Sequence, residues 1–358
     1  MEKYMRRAIE LAKKGTGFVN PNPLVGAVIV KNNKIIGEGF HAKYGEIHAE
    51  RDAIRNLTES ADGADIYVTL EPCCHHGKNP PCTDAIIASG IKRVFMGSPD
   101  PNPLVAGKGI EILRSHGIEV IENVLRDECD ALNDIFFHYI TTKTPYVILK
   151  AAISADGKIA AAGGDSKWIT NEKSRAHTHE TRKLAAAILV GVDTIIADDP
   201  MLNCRADNPA HPIRIICDSH LRTPLNSKIV STAKDIPTYI AYTDIDTDKI
   251  HALEALGVHL INTPEKDGHT DLSELMKSLG AMGIDSVLIE GGGRIHASAL
   301  NTGIVNKVQI YLAPKLIGAD GKDAVAAMGV TLVKNAINLK NPEITRFDDD
   351  ILIEYEVV

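Results

Sequence analysis

Two short stretches concentrate the residues that could do chemistry. "EIHAERDAI" (46–54) carries His48 and Glu50, and "EPCCHHGKNPPCT" (71–83) carries Cys73, Cys74, His75, His76 and Cys82. Zinc takes about four thiolate, imidazole or carboxylate ligands; a structural site fills all four from the protein, whereas a catalytic site leaves one for water. His48, Cys73 and Cys82 form a plausible three-ligand set, with Glu50 spared for proton transfer. A closed structural site would instead recruit Cys74, His75 or His76. Residues two apart in a helix point about 200° apart, so His48 and Glu50 can share a site only at a helix start, and the break after Gly45 allows one. Cys82 follows Pro80 and Pro81, another helix-start signal, where the positive dipole end favours a thiolate.

The other sharp feature is "DSVLIEGGGRIHASAL" (285–300). An apolar strand ends at Glu290, three glycines follow, and a helix begins. Glycines let backbone amides approach a phosphate, and the helix start adds partial positive charge. A tight connection without a ligand would look similar.

The elements that must position these residues fall into two halves. The chain has 358 residues, of which 44% are hydrophobic, 24% charged and 4% aromatic, as for a globular protein of two domains. No apolar run approaches the ~18 residues of a membrane span, and the start "MEKYMRRAIELAKK" reads as an amphipathic helix, so a cytoplasmic protein is expected. Three clustered cysteines argue for metal or reactivity rather than disulfides. Net charge is −8. Residues 1–144 hold 17 Lys/Arg against 19 Asp/Glu, and the rest 22 against 28. Neither half has the basic footprint of a nucleic-acid binder, so a small-molecule substrate is favoured.

In the first half the spacing predicts a helix at the start, strands "LVGAVIV" and "IIGEGF" around the turn "KNNK", a helix "HAERDAIRNL", and strand "DIYVTL" before the cysteine segment. A short helix "PPCTDAIIASG", strand "RVFMG", helix "KGIEILRSHG", strand "IEVIE" and a trailing helix to about 140 follow. "TTKTP" (141–145) is the predicted seam, giving domains 1–144 and 145–358. The second half reads as strands "YVILKAAIS", "AAILVGV", "IRIICDS", "TYIAYT", "VHLI", "SVLIEGG", "KVQIYLAPKLIG" and "ILIEYEVV", with helices at 171–186, 247–257 and 272–283. "PNPLV" occurs at 21–25 and again at 101–105, suggesting two loops on one rim.

The order HAE, then PC, then PPC resembles the zinc-dependent nucleoside and nucleobase deaminases, and the longer "EPCxHxGxxPPC" loop is similar to the riboflavin-biosynthesis deaminases, which act on a pyrimidine ribotide. "KAAISADGKIA", "SKWIT", "ETRKLAAAILVGVDTIIADDPMLNCR" and "RIICDSHLRTP" resemble, in order and spacing, the reductase domain of the bifunctional riboflavin-pathway enzymes. The resemblance implies an α/β chain: an N-terminal cytidine-deaminase-like three-layer α/β/α domain, then a C-terminal dihydrofolate-reductase-like α/β domain. It implies zinc on His48, Cys73 and Cys82, with Glu50 as the catalytic acid/base and substrate contacts from Asn22, His41, Asp100 and Asn102. In the second domain it implies NADPH against Ala152, Trp168, Thr194, Asp198, Ser219 and the run Gly292, Gly293, Arg294, Ile295, His296, Ala297 and Ser298. The substrate ribose phosphate falls near Ser166, Arg182, Leu202, Arg205 and Glu290. Arg205 suits a phosphate clamp, since a guanidinium meets phosphate bidentately. Lys150 and Asp199 are the candidate proton donors. The implied activities are deamination of 2,5-diamino-6-(5-phosphoribosylamino)pyrimidin-4-one and NADPH-dependent reduction of its ribosyl chain, in a homo-oligomer with no nucleic-acid or membrane partner. A polynucleotide deaminase with an accessory domain would need a basic groove; a zinc-stabilised nucleotide-binding module would need a fourth protein ligand on the metal.

Overall fold

A computed structural model describes residues 1–75 and 80–358. The chain divides into two compact units, Met1–Lys143 and Thr144–Val358.

The first unit begins with α1 (Glu2–Ala12), then β1 (Gly26–Lys31) and β2 (Lys34–Phe40), joined by Asn32 and Asn33 at φ +50° and +62°, the left-handed pair that closes a two-residue hairpin. Next come α2 (Ala49–Arg55), β3 (Asp65–Leu70), α3 (Cys82–Ala88), β4 (Arg93–Ser98), α4 (Lys108–Ser115), β5 (Glu119–Ile121), α5 (Arg126–Asp130) and α6 (Asp134–Thr142). The sheet order is β2-β1-β3-β4-β5, parallel from β3 onward. Alternation along the strands sorts the two faces. Ala27, Ile29, Ile66, Val68, Val94 and Met96 pack with α2, α3 and α4, while Val28, Val30, Tyr67 and Phe95 pack with α1 and α5. That is the expected α/β/α sandwich. A β-carbon at Gly39 would lie 2.2 Å from the Ala53 nitrogen, so only glycine lets α2 press onto β2 and bring its N-terminus to the strand ends.

The second unit runs β6 (Tyr146–Ser154), β7 (Lys158–Ala160), α7 (Glu172–Leu184), β8 (Ala187–Gly191), α8 (Val192–Asp198), β9 (Ile213–Cys217), α9 (Lys228–Ser231), β10 (Thr238–Tyr242), α10 (Thr247–Ala255) and β11 (His259–Asn262). It continues with the small pair β12 (Glu265–Lys266) and β13 (His269–Thr270), α11 (Leu272–Ala281), β14 (Ser286–Ile289), α12 (Gly293–Thr302), β15 (Lys307–Ala313), β16 (Lys322–Asp323), β17 (Leu339–Phe347) and β18 (Asp350–Val357). Nine strands form one sheet in the order β11-β10-β9-β8-β14-β6-β15-β18-β17, antiparallel only at β15-β18-β17. Its central parallel strands β8, β9 and β14 are near-continuous apolar runs buried on both faces, as a parallel sheet requires.

Helix α7 departs from this scheme. Its buried positions are Ser174, Thr178, His179 and Thr181, so it turns polar side chains inward, which marks a site rather than a core. Its start is fixed twice: Asn171 Oδ1 accepts the Ser174 N–H at 3.0 Å, and Asp350 of β18 accepts the Asn171 N–H and the Ser174 hydroxyl, both at 2.7 Å. The sequence reading missed β7, α8 and β17 and ran one strand to residue 318 where β15 stops at Ala313. The β17 segment contains Pro342 and is exposed along nearly its whole length, so it carries neither alternation nor an apolar run.

Candidate functional site

His48 is the N-cap of α2 and Cys82 the first residue of α3. The Nδ1 of His48 stands 3.4 Å from the sulfur of Cys73 and 3.4 Å from that of Cys82. Tetrahedral zinc with ordinary Zn–S and Zn–N bonds separates such ligand atoms by about 3.6 Å, so this donor set fits the metal without rearrangement. The pKa of Cys73 is pulled down by its hydrogen bond with Cys82, helped by His48, and that of Cys82 is driven up by the same bond and by burial. Among the described residues no fourth protein ligand joins the cluster. The Cys74 thiol instead faces the Leu104 carbonyl at 3.8 Å, and His75 lines the adjoining cavity outside the ligand cluster. His76 lies outside the described residues.

Glu50, in the first turn of α2, is 3% exposed. Burial raises its pKa, and the negative charge on Cys73 adds to the rise. A carboxyl whose pKa is raised beside a metal cluster is suited to take a proton and give it back.

A cavity of about 340 Å³ opens on this cluster, lined by Asn22, His41, His48, Glu50, Cys73, Asp100 and Asn102. Both "PNPLV" loops contribute to it, as their twin occurrence suggested. His41 donates through Nδ1 to the Ile47 carbonyl at 3.0 Å, which leaves Nε2 to accept from the Asn22 amide at 3.1 Å. Burial lowers the His41 pKa, in keeping with a neutral ring. Burial also lifts Asp100 to about 6, and its Oδ1 accepts the Asn102 N–H at 2.8 Å.

In the second unit a cavity of about 430 Å³ is lined by Lys150, Ala152, Ser166, Trp168, His179, Arg182, Thr194, Asp198, Leu202, Arg205, Glu290 and Gly292, together with neighbouring backbone. A second cavity of about 540 Å³ shares Asp193 with it and is lined by Ser219, Arg294, Ile295, Ala297 and Ser298. Nearly every residue expected to touch the dinucleotide or ribotide therefore borders one of two adjoining cavities. Trp168 is no core residue: it is 60% exposed, with the Arg175 guanidinium 4.5 Å above its ring.

Two expected cofactor positions do not present side chains to either cavity. His296 is fully buried, its Nδ1 donating to the Ala324 carbonyl at 2.8 Å, and a β-carbon on Gly293 would lie 2.6 Å from the Asp323 carbonyl. Gly291 is needed for another reason, φ +143°, while Gly292 faces open space. Thus the first and third glycines build the turn, and the second leaves the start of α12 accessible.

Glu290 carries a bidentate ion pair with Arg182 at 2.7 and 3.0 Å and faces Lys150 at 3.9 Å. Burial alone would raise its pKa, but the two cations more than offset it and hold it at about 2. Burial lowers the pKa of Lys150 despite Glu290. Arg182 also donates to the Asn203 carbonyl at 3.0 Å, so much of its fork is committed within the protein. Arg205 is exposed, and its guanidinium meets Asn203 Oδ1 at 3.5 Å. Asp199, one expected proton donor, is corrected: at φ +40° it leaves the cavity and accepts the Lys228 N–H at 2.8 Å. Lys150 remains. Sequence reasoning missed His179, whose pKa falls to about 4 through burial and Arg182, and whose Nδ1 accepts the Arg205 N–H at 3.2 Å. The polar inward face of α7 was the available signal.

Comparison with known proteins accounts for both units. The description "Cytidine and deoxycytidylate deaminase zinc-binding region" matches residues 1–98, and "RibD C-terminal domain" matches 145–353. The riboflavin biosynthesis protein RibD of Actinobacillus pleuropneumoniae is 53% identical over 356 residues, covering 99% of this chain and 95% of that one. The chain belongs to the RibD family. The RibD of Escherichia coli is 39% identical, with 98% of each chain covered. Among solved structures, Acinetobacter baumannii RibD superposes with a TM-score of 0.90 at 37% identity, covering 100% of this chain and 98% of that one. A Thermotoga maritima diaminohydroxyphosphoribosylaminopyrimidine deaminase/5-amino-6-(5-phosphoribosylamino)uracil reductase does so at 0.87 and 39%, with 100% and 98% covered. RibD membership confirms the fold expected of each half and its bifunctional character, a hydrolytic deaminase joined to a reductase of riboflavin biosynthesis. No described helix is long and apolar enough to cross a membrane.

Proposed function

We propose that the first unit deaminates 2,5-diamino-6-(5-phosphoribosylamino)pyrimidin-4-one at zinc held by His48, Cys73 and Cys82, and that the second uses NADPH to reduce the ribosyl chain of the product to ribityl. The observation that carries the first half is the three-donor cluster, lacking a fourth ligand among the described residues, with buried Glu50 alongside. Bound zinc supplies a Lewis acid that brings the pKa of its water to about 7. Glu50 takes the proton of the attacking water and delivers it to the departing ammonia. The Asn22–His41 pair, Asp100 and Asn102 orient the pyrimidine in the cavity, whose apolar walls, Val25, Leu70 and Phe136 among them, exclude bulk water.

In the second unit NADPH supplies the hydride. The start of α12 and the side chains of Arg294 and Ser298 hold its phosphate-bearing end, and Ala152, Trp168, Thr194 and Asp198 border the reacting end. Lys150, buried with a depressed pKa, is placed to give a proton, and Glu290, itself fixed by Arg182, holds it in position. Arg205 clamps the ribose phosphate. The acidic balance of both halves disfavours a polynucleotide substrate. The same reading makes the protein a cytoplasmic homo-oligomer; edge strand β17, with Leu339 and Ile344 exposed, offers unpaired backbone for self-association.

The test supplies the zinc-loaded chain with the diamino ribotide and NADPH and follows ammonia and NADPH together. Ammonia should appear first and NADPH consumption should depend on it. Arg205→Ala should raise the reductase KM about tenfold or more, the scale of a lost charge-assisted contact, and leave ammonia release unchanged. An unaltered KM would remove Arg205 from the pocket.

A further inference from the structure

The strand that delivers Cys73 ends in a carboxylate used by neither the metal nor proton transfer. Glu71 follows the last residue of β3, two positions before Cys73, and is 3% exposed. It finds no cation among the described residues. Its side chain accepts three backbone N–H groups instead: Gly109 on Oε1 at 3.1 Å, and Gly107 and Asp100 on Oε2 at 3.1 and 3.4 Å. Its own N–H donates to the Ser98 carbonyl at 2.9 Å. One buried side chain thus gathers both ends of the 100–109 segment, the segment that carries Asp100 and Asn102 into the cavity.

The surroundings are built for that gathering. A β-carbon on Gly109 would lie 2.3 Å from the Pro72 carbonyl and 3.2 Å from Glu71 Oε1, so the segment presses directly on the chain leading to Cys73. Within it, the Asp100 and Asn102 side chains accept, among the described residues, the local N–H groups of Asn102 and Leu104 at 2.8 and 3.1 Å. Those bonds shape the turn but do not attach it to the sheet. Glu71 does.

We infer that Glu71 is a positioning residue for deamination: it locks the substrate-contacting 100–109 segment to the cysteine-bearing strand end, so that Asp100 and Asn102 are held in register with the metal cluster. A carboxylate suits this task because it offers only acceptors; glutamine would turn an NH₂ group toward at least one of the three donors. This rests on the deaminase reading above.

The experiment compares the full chain with its Glu71→Gln variant, both zinc-loaded. It measures metal content, amide hydrogen exchange, ammonia release from the diamino ribotide and NADPH oxidation with the already deaminated ribotide. Hydrogen bonds to a charged acceptor imply that exchange at Gly107 and Gly109 quickens about tenfold or more. Exchange across β3 should not change. The deaminase KM should rise by a similar factor with a smaller change in kcat, while zinc content and NADPH oxidation hold. Glu71→Asp, which keeps the charge but is one methylene short, should fall between; it also serves if the glutamine variant does not fold. Wild-type exchange and KM in both variants, or loss of zinc alongside KM, would overturn the assignment. Failure of the wild-type chain to release ammonia would count against the deaminase reading instead, and the exchange data would still report on the anchor.

Discussion

Glu50→Gln should retain zinc and lose ammonia release by a factor of about 10²–10⁴, the usual contribution of a positioned acid/base. The amide matches the carboxyl in size and stays buried, so His48, Cys73 and Cys82 keep their arrangement; what disappears is the group that carries the proton. NADPH oxidation with the already deaminated ribotide should continue at the wild-type rate, because no element of the second unit depends on Glu50. Metal analysis and the two assays on one preparation decide the matter. Near-normal ammonia release would end Glu50's role, and loss of both activities would show that the two sites are not independent. Removing zinc with a chelator should abolish ammonia release and spare NADPH oxidation.

The second large effect is expected at Glu290. Glu290→Gln leaves Lys150 and Arg182 buried without their shared counter-charge. Breaking a buried pair by removing one partner costs about 3–5 kcal/mol. Trp168, the only tryptophan, lies in that unit, so denaturant unfolding followed by its fluorescence reads the loss. NADPH oxidation should collapse with it, while ammonia release should not. The acid behaviour follows from the same contacts. The folded pKa of Glu290 is held at about 2, below its ordinary 4.5, so the ion pair stabilises fully above pH 4.5 and that contribution drains away as pH falls toward 2. The wild-type unit should weaken over that window, and the variant should lack that portion of the slope. Equal stability at neutral pH would mean that the pair contributes nothing net.

The first unit was the more legible in sequence. His-x-Glu at a helix start and Pro-Pro-Cys at another are local patterns, and backbone geometry brings both helix starts to the parallel strand ends. The turn at Asn32 and Asn33 and the two "PNPLV" loops were legible for the same reason, each being a short-range backbone preference. The second unit's site is long-range. Arg182, Glu290 and Lys150 come from α7, the end of β14 and the middle of β6, and nothing local announces that one carboxylate will face two cations. Asp199 illustrates the limit: it was a candidate proton donor, but a left-handed backbone sends its carboxylate to the Lys228 N–H. Likewise β17 has no period of its own, and only pairing with β18 makes it a strand.

The anchoring of α7 by Asp350 has a consequence for the order in which the halves mature. Every strand of the five-stranded sheet is translated by Ile121, so that half can close while the ribosome is still making the rest. The nine-stranded sheet places β6, its first strand, between two of the later ones, and the start of α7 waits for a carboxylate on β18, the last of them to be made. A nascent chain should therefore gain its zinc pocket long before its dinucleotide cleft, and trimming the last strand should silence the later catalyst while sparing the earlier one.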